Sequence, residues 1–347
     1  MKKKWIKNTF KGLMLLLLVW IIWEHQLIWY GLNQGYGQAR ILWKAAPVAT
    51  ILANEEVPDS VKQRIRLIQE IKQFAVDSLG LDPSNSYENF YDQQGKPILW
   101  TVTASKPFNL EAHEWSFSFL GKFSYKGHFE RKKAERDSLQ LAQEGWDVEI
   151  DEVSAWSTLG WLADPILSSM LERTEGGIAN LIIHELTHGT LYVKSDVDFN
   201  ENLATFIGDQ GALRFLQYKY GEQSIQYQNY IASEKDKQLF YDYILKKAQA
   251  LQALYDAKDF KNKSVEEKIV EKQAFVREIA LGLAKVPFVE RQYEIERLKK
   301  WQPNNAFFMG YVRYRAQQYD FEKVLKEQFK GNIKAYVAYL KEKYPSL

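Results

Sequence analysis

Between Val57 and Leu79, apolar residues return at three- and four-residue steps: Val61, Ile65, Ile68, Ile71, Phe74 and Ala75. That period predicts an amphipathic helix, which Gly80 closes. A polar loop with Pro83, Asn85 and Tyr87 follows, and then the period changes. Ile98–Ala104 is β-branched and aromatic, Trp115–Tyr125 alternates, and Val148–Trp156 is a third run of this kind, so strands are expected there. A helix over Arg131–Glu144, closed by Gly145, separates the last two. From Pro165 the helical period returns almost without interruption. Helices are expected over 165–173, 177–194, 199–219, 222–258, 264–285, 288–300 and 305–345, with a turn over Asp259–Ser264. Upstream, Gly31, Gly35 and Gly37 lead into a helical stretch through Gln38–Trp43. The class is α+β, mostly helical. A small antiparallel or mixed sheet lobe (31–164) precedes a helical lobe (165–347), and no repeat or long linker parts them.

The first residues follow another pattern. Lys2, Lys3, Lys4, Lys7 and Lys11 precede the apolar run Leu13–Trp23. A basic flank before such a run marks a signal segment. No small-x-small cleavage site and no lipidation cysteine follows. Residues 1–30 are therefore read as an uncleaved signal anchor or transmembrane segment. The lysines would stay in the cytoplasm and the body outside it, in the periplasm of a Gram-negative cell. A cleaved signal peptide is the alternative. Trp20, Trp23, Trp29 and Tyr30 would suit an interfacial aromatic belt.

Composition narrows the chemistry. Among 347 residues, 46 Lys and Arg stand against 44 Asp and Glu, interspersed, which gives no support for nucleic-acid binding. There is no cysteine, so thiolate–zinc sites, disulfides and a cysteine nucleophile are excluded. Of the five histidines, two fall in His184-Glu185-Leu186-Thr187-His188. Four residues apart on a helix, they share one face and can reach one cation. Glu185 is placed to hydrogen-bond a metal-bound water and act as general base. The H-E-x-x-H pattern points to zinc and to peptide hydrolysis.

A catalytic zinc needs a third protein ligand. Leu191 and Lys194 stand where the metzincin pattern needs glycine and histidine, so that solution is excluded. Glu201, early in the next expected helix, fits, with Asp196, Asp198 and Asp209 as competing carboxylates. Asp198 or Asn200 can cap that helix, and small Ala204 would let it approach the first closely. Asp209, two turns on, suits the support of an imidazole N–H. The helical lobe would thus be zincin-like, with a gluzincin-like ligand set.

Further segments extend the pattern. They are Trp115–Gly121, Tyr125–Phe129, Ala155–Trp161, Asp164-Pro165, Phe199–Thr205 and Asn304–Ala306. With the histidine motif, they make the chain after residue 30 resemble the bacterial putative aminopeptidase family of membrane-associated or exported zinc proteins. The resemblance implies His184, His188 and Glu201 as ligands of Zn²⁺ and a peptide as substrate. Two departures stand out. Lys126 and His128 replace residues of the family's Y-R-G-Y-F loop, and the lipidation cysteine of exported members is missing.

Peptide hydrolysis also needs a donor for the tetrahedral oxyanion. Candidates are Tyr125 and His128 just past a strand end, and Tyr311 and Tyr314 after the Asn304-Asn305 turn. Ser157–Gly160 reads as a strand-to-turn element beside the site; without G-x-S-x-G around it, Ser157 is no nucleophile. The expected activity is zinc-dependent peptide hydrolysis, exopeptidase from the amino end. The alternatives are a zinc endopeptidase of the cell envelope and a non-catalytic envelope binding or scaffold protein that holds zinc. Oligomeric state has no signature in the sequence.

Overall fold

The computed structural model describes residues 11, 14, 24–117, 121–153, 162–194, 196–289, 293–315 and 318–344. The first part holds α1 (His25–Lys44), β1 (Ala46–Pro47), α2 (Val48–Ala53), α3 (Asp59–Leu79), β2 (Asn89–Tyr91) and β3 (Leu99–Ser105). Then come β4 (Trp115–Phe117), β5 (Gly121–Phe123), β6 (Lys126–His128), α4 (Arg131–Gln143), β7 (Asp147–Val153) and β8 (Ile166–Leu167). A 3₁₀ turn, Ser168–Glu172, leads into α5 (Glu175–Thr190), α6 (Val197–Tyr220), α7 (Ile225–Asp256), α8 (Lys258–Lys261) and α9 (Val265–Gly282). The chain closes with α10 (Ile295–Lys300), α11 (Asn305–Arg315), α12 (Gln318–Phe329) and α13 (Ile333–Lys343). The protein is mostly helical with small sheets, an α+β fold.

The periodic stretch from Val57 forms α3, which buries Ile65, Ile68 and Ile71 and stops at Gly80, whose φ of 77° suits glycine. α3 packs under α5. The strands divide into three sheets. β3 lies between β6 and β7, antiparallel to both. β2 pairs antiparallel with β1 and parallel with β8. β4 and β5 form a hairpin within the alternating run Trp115–Tyr125.

Several expected helices differ. Residues 165–173 give strand β8 and a 3₁₀ turn instead, because Ile166 and Leu167 are wholly buried and pair with β2. Among the described residues of 288–300, only Ile295–Lys300 is helical; ahead of it, Val289 N–H donates to buried Asp236 of α7. Among the described residues, the stretch 305–345 holds α11, α12 and α13. Between α12 and α13, Lys330 and Gly331 take φ of 50° and 81°, and Asn332 caps α13.

The N-terminal expectation changes in part. α1 runs through residue 30 and lies against β4 and β6. Tyr30 Oη and Gln34 Nε2 both donate to the Gly127 carbonyl, at 3.0 and 2.9 Å, and Tyr30 stacks on Phe117 at 5.3 Å. Tyr30 therefore makes a protein contact rather than joining an interfacial belt. Among the described residues, no helix is long and apolar enough to cross a membrane. Trp20, Trp23 and most of Leu13–Trp23 lie outside those residues.

The largest apolar core joins α3, α5, α6, α12 and α13; a second lies among α7, α9 and α11, and a small third backs β3 and α4. A buried polar knot fastens β7 and the loop after β3 to helices α7, α9 and α11. Lys272 of α9 pairs with Asp147 of β7 and donates to the Pro107 carbonyl at 2.9 Å. Asn305, wholly buried, donates from N–H to Asp147 Oδ2 and from Nδ2 to the Lys106 carbonyl, both at 2.8 Å. It accepts from Tyr255 O–H at 2.9 Å, while Asn304 Nδ2 donates to the Val148 carbonyl at 2.9 Å. The Asn304-Asn305 pair is thus a fastener.

Candidate metal centre

α5 begins where Thr174 Oγ1 accepts from Gly177 N–H at 3.1 Å, and its apolar side buries Ile178, Ile182, Ile183 and Leu186. His184 and His188 share the remaining face, their ring centroids 4.9 Å apart and nearly perpendicular. The link to α6 is short and pinned. Asn200 accepts from Val193 N–H and donates to the Val193 carbonyl, both at 2.8 Å. Asp196, rather than Asp198 or Asn200, caps α6 by accepting from Phe199 N–H at 3.1 Å.

α6 then lies close along α5. The small side chain expected to permit this, Ala204, is one member of a stripe with Gly208 and Gly211. A Cβ at Gly208 would stand 3.0 Å from the Asn180 carbonyl oxygen and 3.2 Å from His184 Cβ. This approach carries Glu201, on the same stripe, to the two histidines. Its Oε2 is 3.6 Å from His184 Nε2 and 3.6 Å from His188 Nε2.

A direct hydrogen bond would be shorter, about 2.7–3.2 Å. Donors about 2.1 Å from a shared tetrahedral cation stand about 3.4 Å apart. One donor atom from each of the three residues lies within 4.8 Å of the others, and His188 is almost wholly buried while His184 and Glu201 keep some exposure. His184, His188 and Glu201 can therefore hold a metal ion with one side left open. Burial alone would raise the Glu201 carboxyl, but the two imidazoles outweigh it and hold it well below the usual carboxylate range. Burial lowers His188, and the Glu201 and Glu185 carboxylates more than reverse that, so it sits above its ordinary value.

Glu185 is half-buried on the adjoining face of α5. Two of its electrostatic neighbours come from distant segments. Tyr87 is wholly buried at a left-handed φ of 69°; burial, then Glu185, pushes its phenol well above the ordinary value. Arg173, ahead of α5, is lowered by burial and raised in part by Glu185. A third neighbour of the centre, Tyr192, packs edge-on to His188 at 6.0 Å and is raised by burial and by Glu201. The spacing 184, 188, 192 could have singled out Tyr192. Nothing local marks Tyr87 or Arg173.

The other candidates are placed elsewhere or otherwise engaged. Asp209 accepts from Asn180 Nδ2 at 2.6 Å and so ties α6 to α5 one turn before His184. His188 Nδ1 is buried and without a hydrogen bond among the described residues. His128 is buried, with Nε2 at 3.0 Å from Asp137 of α4. Tyr125 lies just before β6 and packs edge-on to Phe123. Tyr311 sits among Phe240, Tyr241 and Phe307 in the second core, and Tyr314 lies on the same helix, α11. Asp196 and Asp198 are exposed. Ser157–Gly160 lies outside the described residues.

Two adjacent helices, one carrying H-E-x-x-H and the next a converging glutamate, define an α+β protein with a His-His-Glu group able to hold a metal ion. The chain belongs to the putative aminopeptidase family, whose family model matches residues 29–343. Membership implies a peptidase acting on peptides. Neither curated proteins nor solved structures give a match.

Proposed function

We propose that the chain is a zinc-dependent aminopeptidase centred on His184, His188 and Glu201. The observation that carries this reading is the Glu201 carboxylate standing 3.6 Å from both imidazole nitrogens, the spacing of ligands around one ion. Two imidazoles and a carboxylate are a donor set that zinc accepts. A bound zinc supplies Lewis-acid polarisation of the scissile carbonyl and lowers the proton affinity of water at the open position. Glu185, beside His184, takes the proton from the attacking water and passes it to the leaving amine. Glu201 offsets the positive charge of the centre. Arg173 lies within electrostatic reach of Glu185, and Tyr192, whose ring packs edge-on to His188, carries the phenol assigned to donate to a developing oxyanion. The lysines and the apolar run Leu13–Trp23 support a body held at a membrane on its extracytoplasmic side.

The test is metal analysis and turnover on the full chain. Wild type should hold about one zinc per chain, and His188→Ala should lose it. Glu185→Gln should keep the metal and lose most hydrolysis of an aminoacyl anilide. Full zinc in His188→Ala, or wild-type turnover in Glu185→Gln, would overturn the reading. Equal cleavage of free and N-acetylated peptides would replace aminopeptidase by endopeptidase.

A further inference from the structure

We infer that the outward face of α1 lies on the surface of a lipid bilayer, with Trp29, Leu32, Tyr36 and Trp43 entering the headgroup–acyl boundary. These residues are spaced by three, four and seven positions and so form one stripe. All four are open to solvent, at 66, 61, 71 and 90 % exposure. The stripe runs about 21 Å along the helix. The opposite face is already used: Ile41 and Gln38 are buried, Gly37 presses against the Phe129 ring, and Tyr30 and Gln34 bind the Gly127 carbonyl. α1 thus has one face on the body and, among the described residues, an apolar face with no partner.

Three observations select lipid as the occupant. The first is chemistry. Trp and Tyr present apolar rings with polar tips, the combination favoured where acyl chains meet headgroups. The second is charge. α1 contains no Asp or Glu in 20 residues, while Arg40 is exposed on the same stripe and Lys44 beside it. In a chain whose overall charge is only +2, an acid-free helix with a basic edge complements anionic headgroups. The third is continuity. α1 begins directly after the apolar run Leu13–Trp23 and its preceding lysines. The polar residues Asn33, Gln34 and Gln38 make α1 unsuited to crossing the bilayer and suited to lying on it. This inference is independent of the peptidase reading and deepens that of a membrane-held body.

The lack of any native cysteine gives a direct experiment. Leu32→Cys, Tyr36→Cys and Trp43→Cys are made singly in the full chain, each labelled with an environment-sensitive fluorophore. Tyr218→Cys and Tyr319→Cys, at positions 76 and 75 % exposed, serve as references. The proteins are mixed with phosphatidylcholine–phosphatidylglycerol vesicles, with or without a lipid-borne quencher. Labels at 32, 36 and 43 should shift to the blue and lose most of their emission to the quencher; labels at 218 and 319 should do neither. If the chain sediments with vesicles but the three α1 labels are not quenched, the membrane reading stands and this inference falls. A chain that does not sediment overturns both. A blue shift that follows protein concentration without lipid quenching would assign the stripe to a second copy, and equal quenching at the reference positions would also overturn the inference.

Discussion

Three donor atoms that converge without hydrogen-bonding one another, at the spacing of the proposed zinc ligands, set Glu201 apart from its neighbours. Glu201→Ala should weaken zinc most, because it removes a donor and the negative charge between the imidazoles. Asp209→Ala should cost about ten- to hundred-fold, since it acts through Asn180 on the histidine helix. Asp198→Ala should leave affinity unchanged. Asp196→Ala should lower stability by about 1 kcal/mol through the lost cap, with little effect on zinc. Chelator competition ranks the four, and Asp196 or Asp198 outranking Glu201 would move the third ligand into the loop. At this scale the sequence is legible where spacing is local: one helical turn pairs His184 with His188, and Glu201, a candidate on the next helix, joins them in a group able to hold a metal ion. Tyr87 and Arg173 are not legible, because the loop and turn that bring them to Glu185 are tertiary consequences of packing α3 beneath α5.

Helices disclose their partners through what they omit. Gly→Ala inside a helix ordinarily gains about 1 kcal/mol. At Gly208 the added methyl would meet a backbone oxygen at 3.0 Å, and a carbonyl held in α5 cannot swing away. Gly208→Ala should therefore lose roughly 1–3 kcal/mol. It should also weaken zinc by spreading Glu201 from the histidines, read by thermal melting and metal titration. Ala204 was a correct but partial clue; the glycines at the same helical phase carry the contact. The opposite failure occurs in 305–345, where continuous helical period hid the stop written by Lys330-Gly331-Asn332. Strand β7 offers a pH test. Burial, helped by Asp151 and Asp147, pushes the Glu149 carboxyl from 4.5 up to about 7. Its contribution to stability is complete below about 4.5 and is lost as pH rises through about 7. Glu149→Gln should thus melt higher than wild type at pH 8, with the gap closing towards pH 4; a constant gap would mean that the carboxyl is not perturbed.

Across the whole molecule, β7 is tied to the later helices through Asn305, Lys272 and Asp147. Asn305→Ala leaves the Tyr255 hydroxyl and Lys106 carbonyl without their partner and should lower stability by roughly 2–4 kcal/mol, measured by denaturant unfolding. The α+β class was readable from the changes of hydrophobic period along the chain. The knot was not, because its members lie far apart in the chain and only Asn304–Ala306 stood out as a motif.

α1 meets the body through two donors on one carbonyl, a ring stacked on Phe117 and a glycine flush against Phe129. Those contacts spread over two helical turns, so they resist swivelling as well as separation. α1 is a base plate rather than a leash. Whatever takes hold of its outer face sets the tilt of the body and, with it, the direction in which the His184–Glu201 group faces.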